Sequence, residues 1–445
     1  MMKVEVISSE LVKPSSPTPS HLKTFKISLM DQLLVSDYIP FIFHYPITDP
    51  NCDTNQLVLH LKNSLSDTLT RFYPLAGRFK DHMSVDCNDE GVLFIETRVN
   101  CSMSEFLNEP QIEQLHQFVF FIEMGSEPET SLCQLAVQVN VFASDGIAIG
   151  VSMLHKMMDG STLATFLKCW AAIASDDSQG KAIFPDLTVA SSLFPPRSDQ
   201  LPRSMSFLKD TWVKKGKSIL RRFLFDDAAI KALKAKASSR AVPNPSSSLA
   251  VSAFIWKCAV AASRKVKGIQ SGQIATILAY AVNMRSRMVP PAPELSMGNI
   301  FWLATATQRD GAGLEEMVGS VREAVGKLDR EYAQKMRGEE GFHQICKLME
   351  ERDELYAKEK PEVYMVSDLR SFRFSELDFG WGKPTWVSNS WGFSSPVFVN
   401  GVFLGESHEG GGIEAWVHLE GDEMRVFEHD PELLSFAKLN PGIPL

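Results

Sequence analysis

The clearest structural signal in the sequence is a pair of alternating apolar runs joined by a short polar turn. Apolar residues recur at every second position from 132 to 142 and again from 147 to 153. The letters S-D-G at 144–146 between them are typical of a hairpin turn. On the second run, the intervening positions hold only small residues, Ala148, Gly150 and Ser152. The pattern predicts a β-hairpin whose second strand ends at His155.

A helix follows this hairpin at once. The connecting stretch, Val151–Gly160, reads V-S-M-L-H-K-M-M-D-G, and apolar residues then repeat every three or four positions through 163–173. That spacing indicates a helix with one apolar face. Asp159 stands where a side chain can accept N–H groups at the helix N-terminus. The sequence therefore predicts a strand-to-helix corner that carries His155 and Asp159.

Two interpretations of this corner stay open on sequence grounds. Imidazole titrates near neutral pH and suits proton abstraction, so His155 is a candidate general base; alternatively, it is a packed core residue. Asp159 could cap the helix, pair with an arginine, or orient His155.

Several kinds of site are disfavoured by the motifs that the sequence lacks. His155 and Asp159 have no second cluster of ligands nearby and no H-E-x-x-H, so no metal site is expected. Neither a G-x-S-x-G elbow, a dinucleotide fingerprint nor a P-loop occurs. The chemistry that remains is acid–base work on an organic substrate.

Length predicts two domains, because 445 residues exceed what one core usually supports. Residues 185–215 begin with a stretch that is rich in Pro and Ser and has no periodicity, which favours an interdomain crossover. We therefore expect domains at 1–184 and 216–445. A segment near 365–395 is expected to pack on the first domain.

Composition narrows the partners and the compartment. A net charge of −9 gives no electrostatic reason to expect nucleic acid. No run of 18 apolar residues occurs, so membrane insertion is not expected. The seven scattered cysteines suit free thiols in a reducing compartment, which favours a cytoplasmic protein.

Three further segments are predicted locally. Alternation over 25–34 predicts a strand. Apolar spacing over 246–262 predicts a helix that Ser246 could cap. The letters D-F-G-W-G-K-P at 378–384 predict a tight turn, in which Gly380 and Gly382 supply unusual backbone angles, Trp381 packs, and Asp378 binds backbone N–H groups.

Taken together, H-K-M-M-D-G at 155–160 and D-F-G-W-G-K-P at 378–384 resemble the plant BAHD acyl-CoA-dependent acyltransferases. Flanking segments extend the resemblance along the chain, among them Y-P-L-A-G-R at 73–78, N-M-R-S-R at 283–287 and G-N at 298–299. The segments K-P-S-S-P-T-P-S-H-L at 13–22 and I-S-L-M-D-Q-L at 27–33 are most similar to the group of alkaloid, terpene and alcohol acetyltransferases.

The resemblance implies an α/β fold of two chloramphenicol-acetyltransferase-like domains, each a mixed sheet flanked by helices, with an active-site channel at their interface. It implies that His155 is the general base and that Asp159 pairs with Arg285 to fix the corner. Gly160 would leave room for the pantetheine arm. Ser246, Ser390 and Trp391 would line the channel, with an oxyanion donor near Ser390. The turn formed by Asp378, Gly380, Trp381 and Gly382 would be structural.

The implied activity is transfer of an acyl group, with acetyl expected, from acyl-CoA to a hydroxyl of a plant specialised metabolite. No permanently bound cofactor, no metal and no covalent acyl-enzyme are implied, and a monomer is expected. The alternatives are N-acylation of an amine, or a non-catalytic relative that binds acyl-CoA or a metabolite. Three cations on the predicted 246–262 helix and just beyond it are candidate CoA contacts: Lys257, Arg264 and Lys265.

Overall fold

The computed structural model describes residues 2–49, 51–122, 126–177, 183–198, 214–270, 272–273, 275–309, 311–391, 397–408 and 410–444. The strands are β1 (Val4–Val12), β2 (Thr24–Lys26), β3 (Tyr38–Pro46), β4 (Arg78–Asp81), β5 (Ser84–Asp86), β6 (Val92–Val99), β7 (Leu135–Phe142), β8 (Gly146–Leu154), β9 (Lys214–Lys215), β10 (Ser218–Phe225), β11 (Ala275–Asn283), β12 (Phe301–Arg309), β13 (Glu362–Asp368), β14 (Trp386–Ser388), β15 (Val397–Phe398), β16 (Asn400–Glu406), β17 (Ile413–Glu420) and β18 (Lys438–Leu439).

The helices are α1 (Leu29–Gln32), α2 (Thr54–Arg71), α3 (Met103–Asn108), α4 (Gly160–Ala174), α5 (Val189–Leu193), α6 (Asp227–Lys236), α7 (Ser247–Lys267), α8 (Leu314–Lys327), α9 (Arg330–Lys335), α10 (Gly338–Glu359), α11 (Gly421–Phe427) and α12 (Pro431–Leu434). Among these described helices, none combines the length and the apolar character that crossing a membrane requires.

The first large sheet has the strand order β1-β6-β7-β8-β3-β14. The pair β6 and β7 is parallel, and the other pairs are antiparallel. The predicted hairpin is confirmed as β7 and β8, which occupy the middle of this sheet. Strand β14 comes from the C-terminal third of the chain and pairs with β3, with Trp386 opposite His44.

Both faces of the hairpin are buried, and the two kinds of residue on β8 explain how. The bulky residues Ile147, Ile149 and Val151 pack in one cluster with helices α2 and α4. On the other face, a Cβ at Gly150 would collide with the carbonyl oxygen of Phe118. The small residues therefore let a loop segment lie directly on the sheet.

The second large sheet has the strand order β12-β11-β13-β16-β17-β10-β18. It is mixed as well, because β11, β13 and β16 are parallel neighbours while the remaining pairs are antiparallel. Helices α7 and α8 pack on it through a large apolar cluster. The two mixed sheets flanked by helices confirm the predicted α/β class.

Two predicted segments, 25–34 and 185–215, have different outcomes in the structure. The strand predicted over 25–34 is wrong beyond Lys26, because Ser28 and Asp31 form a capping box that begins helix α1. The expected crossover at 185–215 lies partly outside the described residues, which resume at 214. Its described part contains α5. The domain boundaries stay a prediction.

Candidate functional site

His155 lies immediately after β8, and its backbone is held from both sides. Its N–H donates to the carbonyl of Asp37, just before β3, at 2.9 Å. Its carbonyl accepts from Nδ2 of Asn299, just before β12, at 2.9 Å. Since β3 belongs to the first sheet and β12 to the second, the position of His155 depends on both sheets.

The imidazole of His155 is half-buried and packs near one aromatic ring. Its ring centroid lies 5.9 Å from that of Phe301. Nδ1 is buried and has no hydrogen-bond partner among the described residues. Burial lowers the pKa of His155 below its usual value, and hydrogen bonding and the charge of Asp159 offset only part of the shift. The ring is therefore neutral at pH 7 and able to accept a proton.

Asn299 is itself fixed by a buried carboxylate. Oδ1 of Asp31 accepts from the backbone N–H of Asn299 at 2.7 Å and from its Nδ2 at 2.8 Å. Burial raises the pKa of Asp31 to about 6, against the opposing effect of its hydrogen bonds to Ser28 and Asn299. Helix α1 thus reaches the His155 carbonyl through one amide side chain.

Asp159 caps α4 and joins it to the second sheet. Its carboxylate accepts from the N–H of Thr162 at 2.9 Å and from the N–H of Ile300 at 3.1 Å. Arg285 donates to both carboxylate oxygens, at 2.7 and 3.0 Å. The ion pair that the resemblance implied is therefore present, and its geometry is bidentate.

Arg285 has further partners that hold its guanidinium in place. Its Nη2 donates to the carbonyls of Ser296 and Gly298 at 2.9 and 3.0 Å, and the residue is 1% exposed. Burial alone would raise the pKa of Asp159, but the charge and hydrogen bonds of Arg285 outweigh it, so that the pKa lies below its usual value. Asp159 is accordingly ionised at neutral pH.

The space above Gly160 is occupied by an aromatic ring. A Cβ built on Gly160 would lie 2.5 Å from Cε2 and 2.9 Å from Cζ of Phe372. The missing side chain lets Phe372, from the segment between β13 and β14, lie against the start of α4. That Gly160 also leaves room for a pantetheine arm stays a prediction.

Ser390 and Trp391 connect to the His155 corner through the start of β3. Nε1 of Trp391 donates to the Asp37 carboxylate at 3.2 Å, and Asp37 is the residue whose carbonyl binds His155. Asn389 donates to the carbonyl of Pro40 at 2.8 Å. The Ser390 hydroxyl is buried without a hydrogen-bond partner among the described residues. Burial raises the pKa of Asp37 to about 6, although the Trp391 hydrogen bond opposes the shift.

The D-F-G-W-G turn lies against the other end of α4. Oδ1 of Asp378 accepts from the N–H groups of Gly380 and Gly382 at 2.8 and 2.9 Å, where φ is 108° and 113°. Trp381 stacks on Phe379, with ring centroids 5.8 Å apart. Gly380 approaches Ser175, which follows the last residue of α4. Because the helix has 15 residues, the turn and the His155 corner are separated by about 22 Å of helix.

Ser246 caps α7 and borders a separate cavity of about 530 Å³. We call this space the arginine cavity, because Arg287, Arg322 and Arg330 line it together with Ser246. The other suggested cations lie further along α7. Lys257 pairs with Glu432 at 2.6 Å, and Arg264 and Lys265 are in the last turns, about 27 Å from Ser246.

Within the part of the chain that the structure describes, no group of three or more His, Cys, Asp and Glu side chains is arranged to hold a metal ion.

Several residues at this site were not found by sequence reasoning. Asp31 could have been found, since S-x-x-D at 28–31 is a capping pattern. Asn299 was noted only as part of a familiar G-N pair. Asp37, Phe301 and Phe372 lie in no recognisable motif, and only the fold brings them to His155 and Gly160.

The chain is similar to known proteins along its whole length. Residues 2–434 match the model of the Transferase family. The chain is 38% identical over 463 residues to limonoid 7-O-acetyltransferase of Citrus sinensis, with 99% of each chain covered. It is 37% identical over 442 residues to vinorine synthase of Rauvolfia serpentina, with 98% of each chain covered.

Solved structures agree with these similarities. The crystal structure of vinorine synthase matches with a TM-score of 0.82 at 34% identity, over 99% of this chain and 100% of that one. TRI101 of F. graminearum, complexed with coenzyme A and T-2 mycotoxin, matches with a TM-score of 0.69 at 16% identity, over 94% of this chain and 99% of that one. The second likeness concerns the fold alone.

Replacing Asp159 with Asn should destabilise the protein strongly. The Asp159→Asn variant leaves Arg285 buried without its counter-charge, which costs about 3–5 kcal/mol of unfolding free energy. Denaturant unfolding at pH 7 measures the loss. The matched control is Glu331→Gln, which removes an exposed ion pair with Lys335 and should leave the free energy of unfolding nearly unchanged, because solvent screens such pairs. Unchanged stability with a large loss of activity would show instead that Asp159 acts directly on His155.

Replacing Gly160 with Ala should force Phe372 to move. The added Cβ overlaps the ring edge, and such overpacking costs about 1–3 kcal/mol. In a double-mutant cycle with Phe372→Ala, the two substitutions should be non-additive by roughly 0.5–3 kcal/mol, because the second removes the clash that the first creates. Strictly additive unfolding free energies would mean that Gly160 and Phe372 do not touch in solution.

Proposed function

Because the chain belongs to the BAHD acyltransferase family, we propose that it transfers an acyl group from coenzyme A to a hydroxyl group of a plant specialised metabolite, with His155 as the general base. The limonoid 7-O-acetyltransferase that it resembles is named for acetyl transfer to oxygen. Acetyl-CoA is therefore the proposed donor, and a multi-ring alcohol is a reasonable first acceptor.

One observation carries the proposal: the imidazole of His155 is neutral, half-buried and unpartnered at Nδ1, while its backbone is fixed on both sides. A neutral imidazole on a backbone that is fixed from both sides suits proton abstraction from a hydroxyl.

The reaction then needs one proton transfer in each direction. The acceptor hydroxyl gives its proton to His155 as its oxygen attacks the thioester carbonyl carbon. The tetrahedral intermediate collapses when the carbon–sulfur bond breaks, and the imidazolium returns the proton to the departing thiolate. No covalent acyl-enzyme is part of this scheme. Asp159 does not touch the reacting atoms; it holds the corner through Arg285 and is a positioning residue.

Ser390 is the proposed oxyanion donor, and Trp391 a wall of the channel. The Ser390 residue is only 4% exposed, and a buried hydroxyl without a partner is costly unless a ligand completes it. A donor of this kind stabilises the negative oxygen of the tetrahedral intermediate more than the uncharged thioester.

Ser246 and the arginine cavity are proposed to receive the phosphate-bearing part of coenzyme A. Arginine suits phosphate because its guanidinium offers several donors in a fixed plane. Asp329 is the acidic residue among the described lining residues, so cations outnumber acids there. Gly160, under Phe372, is proposed to shape the channel wall beside His155.

We also propose that the protein acts as a monomer in the cytoplasm. The contacts that hold His155 come from a single chain, and all seven cysteines are free, as in a reducing compartment.

Replacing His155 with Ala should abolish most of the activity while the fold remains. With acetyl-CoA and a panel of alcohols and amines, release of the coenzyme A thiol should fall by about 10² to 10⁴ in kcat, the value of a lost general base. The control variant is His60→Ala on α2, whose ring binds the carbonyl of Ala174 far from His155. Wild-type turnover in His155→Ala would refute the mechanism. Exclusive use of amines by the wild type would favour N-acylation.

Replacing Ser390 with Ala should lower kcat and leave KM for acetyl-CoA nearly unchanged. Loss of one oxyanion donor costs about 10² to 10³ in kcat. Ser390→Thr keeps a hydroxyl and should retain most of the rate. If Ala and Thr variants are equally slow, the effect is one of packing and the hydroxyl has no role.

A further inference from the structure

A second space, which we call the apolar cavity, lies beside Phe301, a neighbour of the His155 imidazole. It has a volume of about 300 Å³ and is lined among others by Leu33, Leu34, Phe301, Leu303, Leu348 and Met349. Phe301 belongs to this lining and also packs near the His155 ring, at 5.9 Å between centroids. Phe301 therefore links the lining of this cavity to the ring of the proposed base.

The charged side chains that line the apolar cavity are both positive. Lys327 and Arg352 line it, and no described lining residue is acidic. Both cations already have acidic neighbours outside the lining: Glu323 lies 2.7 Å from Lys327, and Asp353 lies 3.1 Å from Arg352. A cationic ligand would find no free carboxylate here.

The carboxylates of Asp159 and Asp37, at the His155 corner, also provide no counter-charge for a cationic ligand in this cavity. Asp159 is paired with Arg285, and Asp37 accepts from Trp391. Neither residue lines the apolar cavity. A protonated amine in the cavity would lose its water without gaining a counter-charge, and such a transfer is strongly unfavourable.

The two cavities differ in a way that assigns their occupants. The arginine cavity offers three guanidinium groups, whereas the apolar cavity offers mainly hydrocarbon and aromatic surface. Leu328 lines both, so the two spaces are neighbours. The phosphates of coenzyme A suit the first, and the hydrocarbon skeleton of the other substrate suits the second.

We infer that the apolar cavity binds the ring skeleton of an uncharged, multi-ring alcohol and rejects acceptors that carry an ammonium group. The inference rests on the proposed function and adds the class of acceptor. A short alcohol would leave most of this volume empty, and ligand pockets typically begin at about 300 Å³. The hydroxyl lies at the Phe301 end, beside His155, and the rings extend toward Leu348 and Met349.

The test compares acceptors that differ only in charge. A set of hydroxysteroids is offered with acetyl-CoA at pH 7, each beside its azasteroid analogue with a basic ring nitrogen. For the wild type, kcat/KM should favour the neutral member by about 100-fold or more, as expected when a buried charge lacks a partner. Equal use of both members, or a preference for the azasteroid, would overturn the inference.

A negative charge introduced into the lining should weaken this preference for the neutral acceptor. In Leu348→Asp, the ratio of kcat/KM between the neutral and the cationic acceptor should narrow by about 10-fold or more, because the ammonium group gains a counter-charge. The matched control is Leu348→Asn, which has the same shape without the charge and should keep the wild-type ratio. The same ratio in both variants would show that the acceptor lies elsewhere.

A substitution that fills the apolar cavity distinguishes binding of the acceptor from binding of acetyl-CoA. Leu303→Trp should raise KM for the hydroxysteroid by about 10-fold or more and leave KM for acetyl-CoA nearly unchanged. Thermal unfolding of each variant checks that the fold is intact.

Failure of the inference and failure of the proposed function give different results. If the wild type releases no thiol with any alcohol, the proposed function is wrong. If thiol is released but Leu303→Trp leaves every KM unchanged, or if only short or cationic alcohols are accepted, the function stands and the inference is wrong.

Discussion

The bidentate ion pair between Asp159 and Arg285 is the contact on which the His155 corner depends. Asp159 begins a helix on the first sheet, and Arg285 follows a strand of the second, 126 residues later in the chain. Both groups are buried, so removing water from them costs free energy that the pair must recover through geometry. It does so because the N–H groups of Thr162 and Ile300 also donate to the carboxylate, while Nη2 of the guanidinium also donates to the carbonyls of Ser296 and Gly298. The main effect of the pair is therefore to fix the start of α4 against the second sheet.

The same logic extends to the backbone of His155. Its N–H donates to the carbonyl of Asp37, and its carbonyl accepts from Asn299. These two hydrogen bonds fix the residue without using Nδ1 of the ring, which has no partner among the described residues. Backbone contacts thus place the proposed base, and burial keeps its imidazole uncharged.

Sequence periodicity predicted the local parts of this site well and the long-range parts poorly. The hairpin and the helix after it follow from two-residue and three-to-four-residue repeats, which depend on neighbours in the chain. The partner of Asp159 was expected only through family resemblance, because no local rule selects Arg285. The expected role of Gly160 beside a pantetheine arm stays a prediction. Its neighbour, Phe372, comes from a distant segment, and only tertiary packing could reveal the contact. Asp37 and Phe301 escaped notice for the same reason.

The pairing of β14 with β3 has a consequence for how the chain is made. During synthesis, β3 is available early, but the strand that covers its outer edge lies at 386–388. Until that segment leaves the ribosome, β3 presents unpaired N–H and C=O groups, which are a template for pairing with another chain. The first sheet therefore stays incomplete until the second half of the chain is made. An expression fragment ending near residue 184 would have an unpaired edge at β3. The first sheet cannot form all of its strand pairs without a segment from the C-terminal third of the chain.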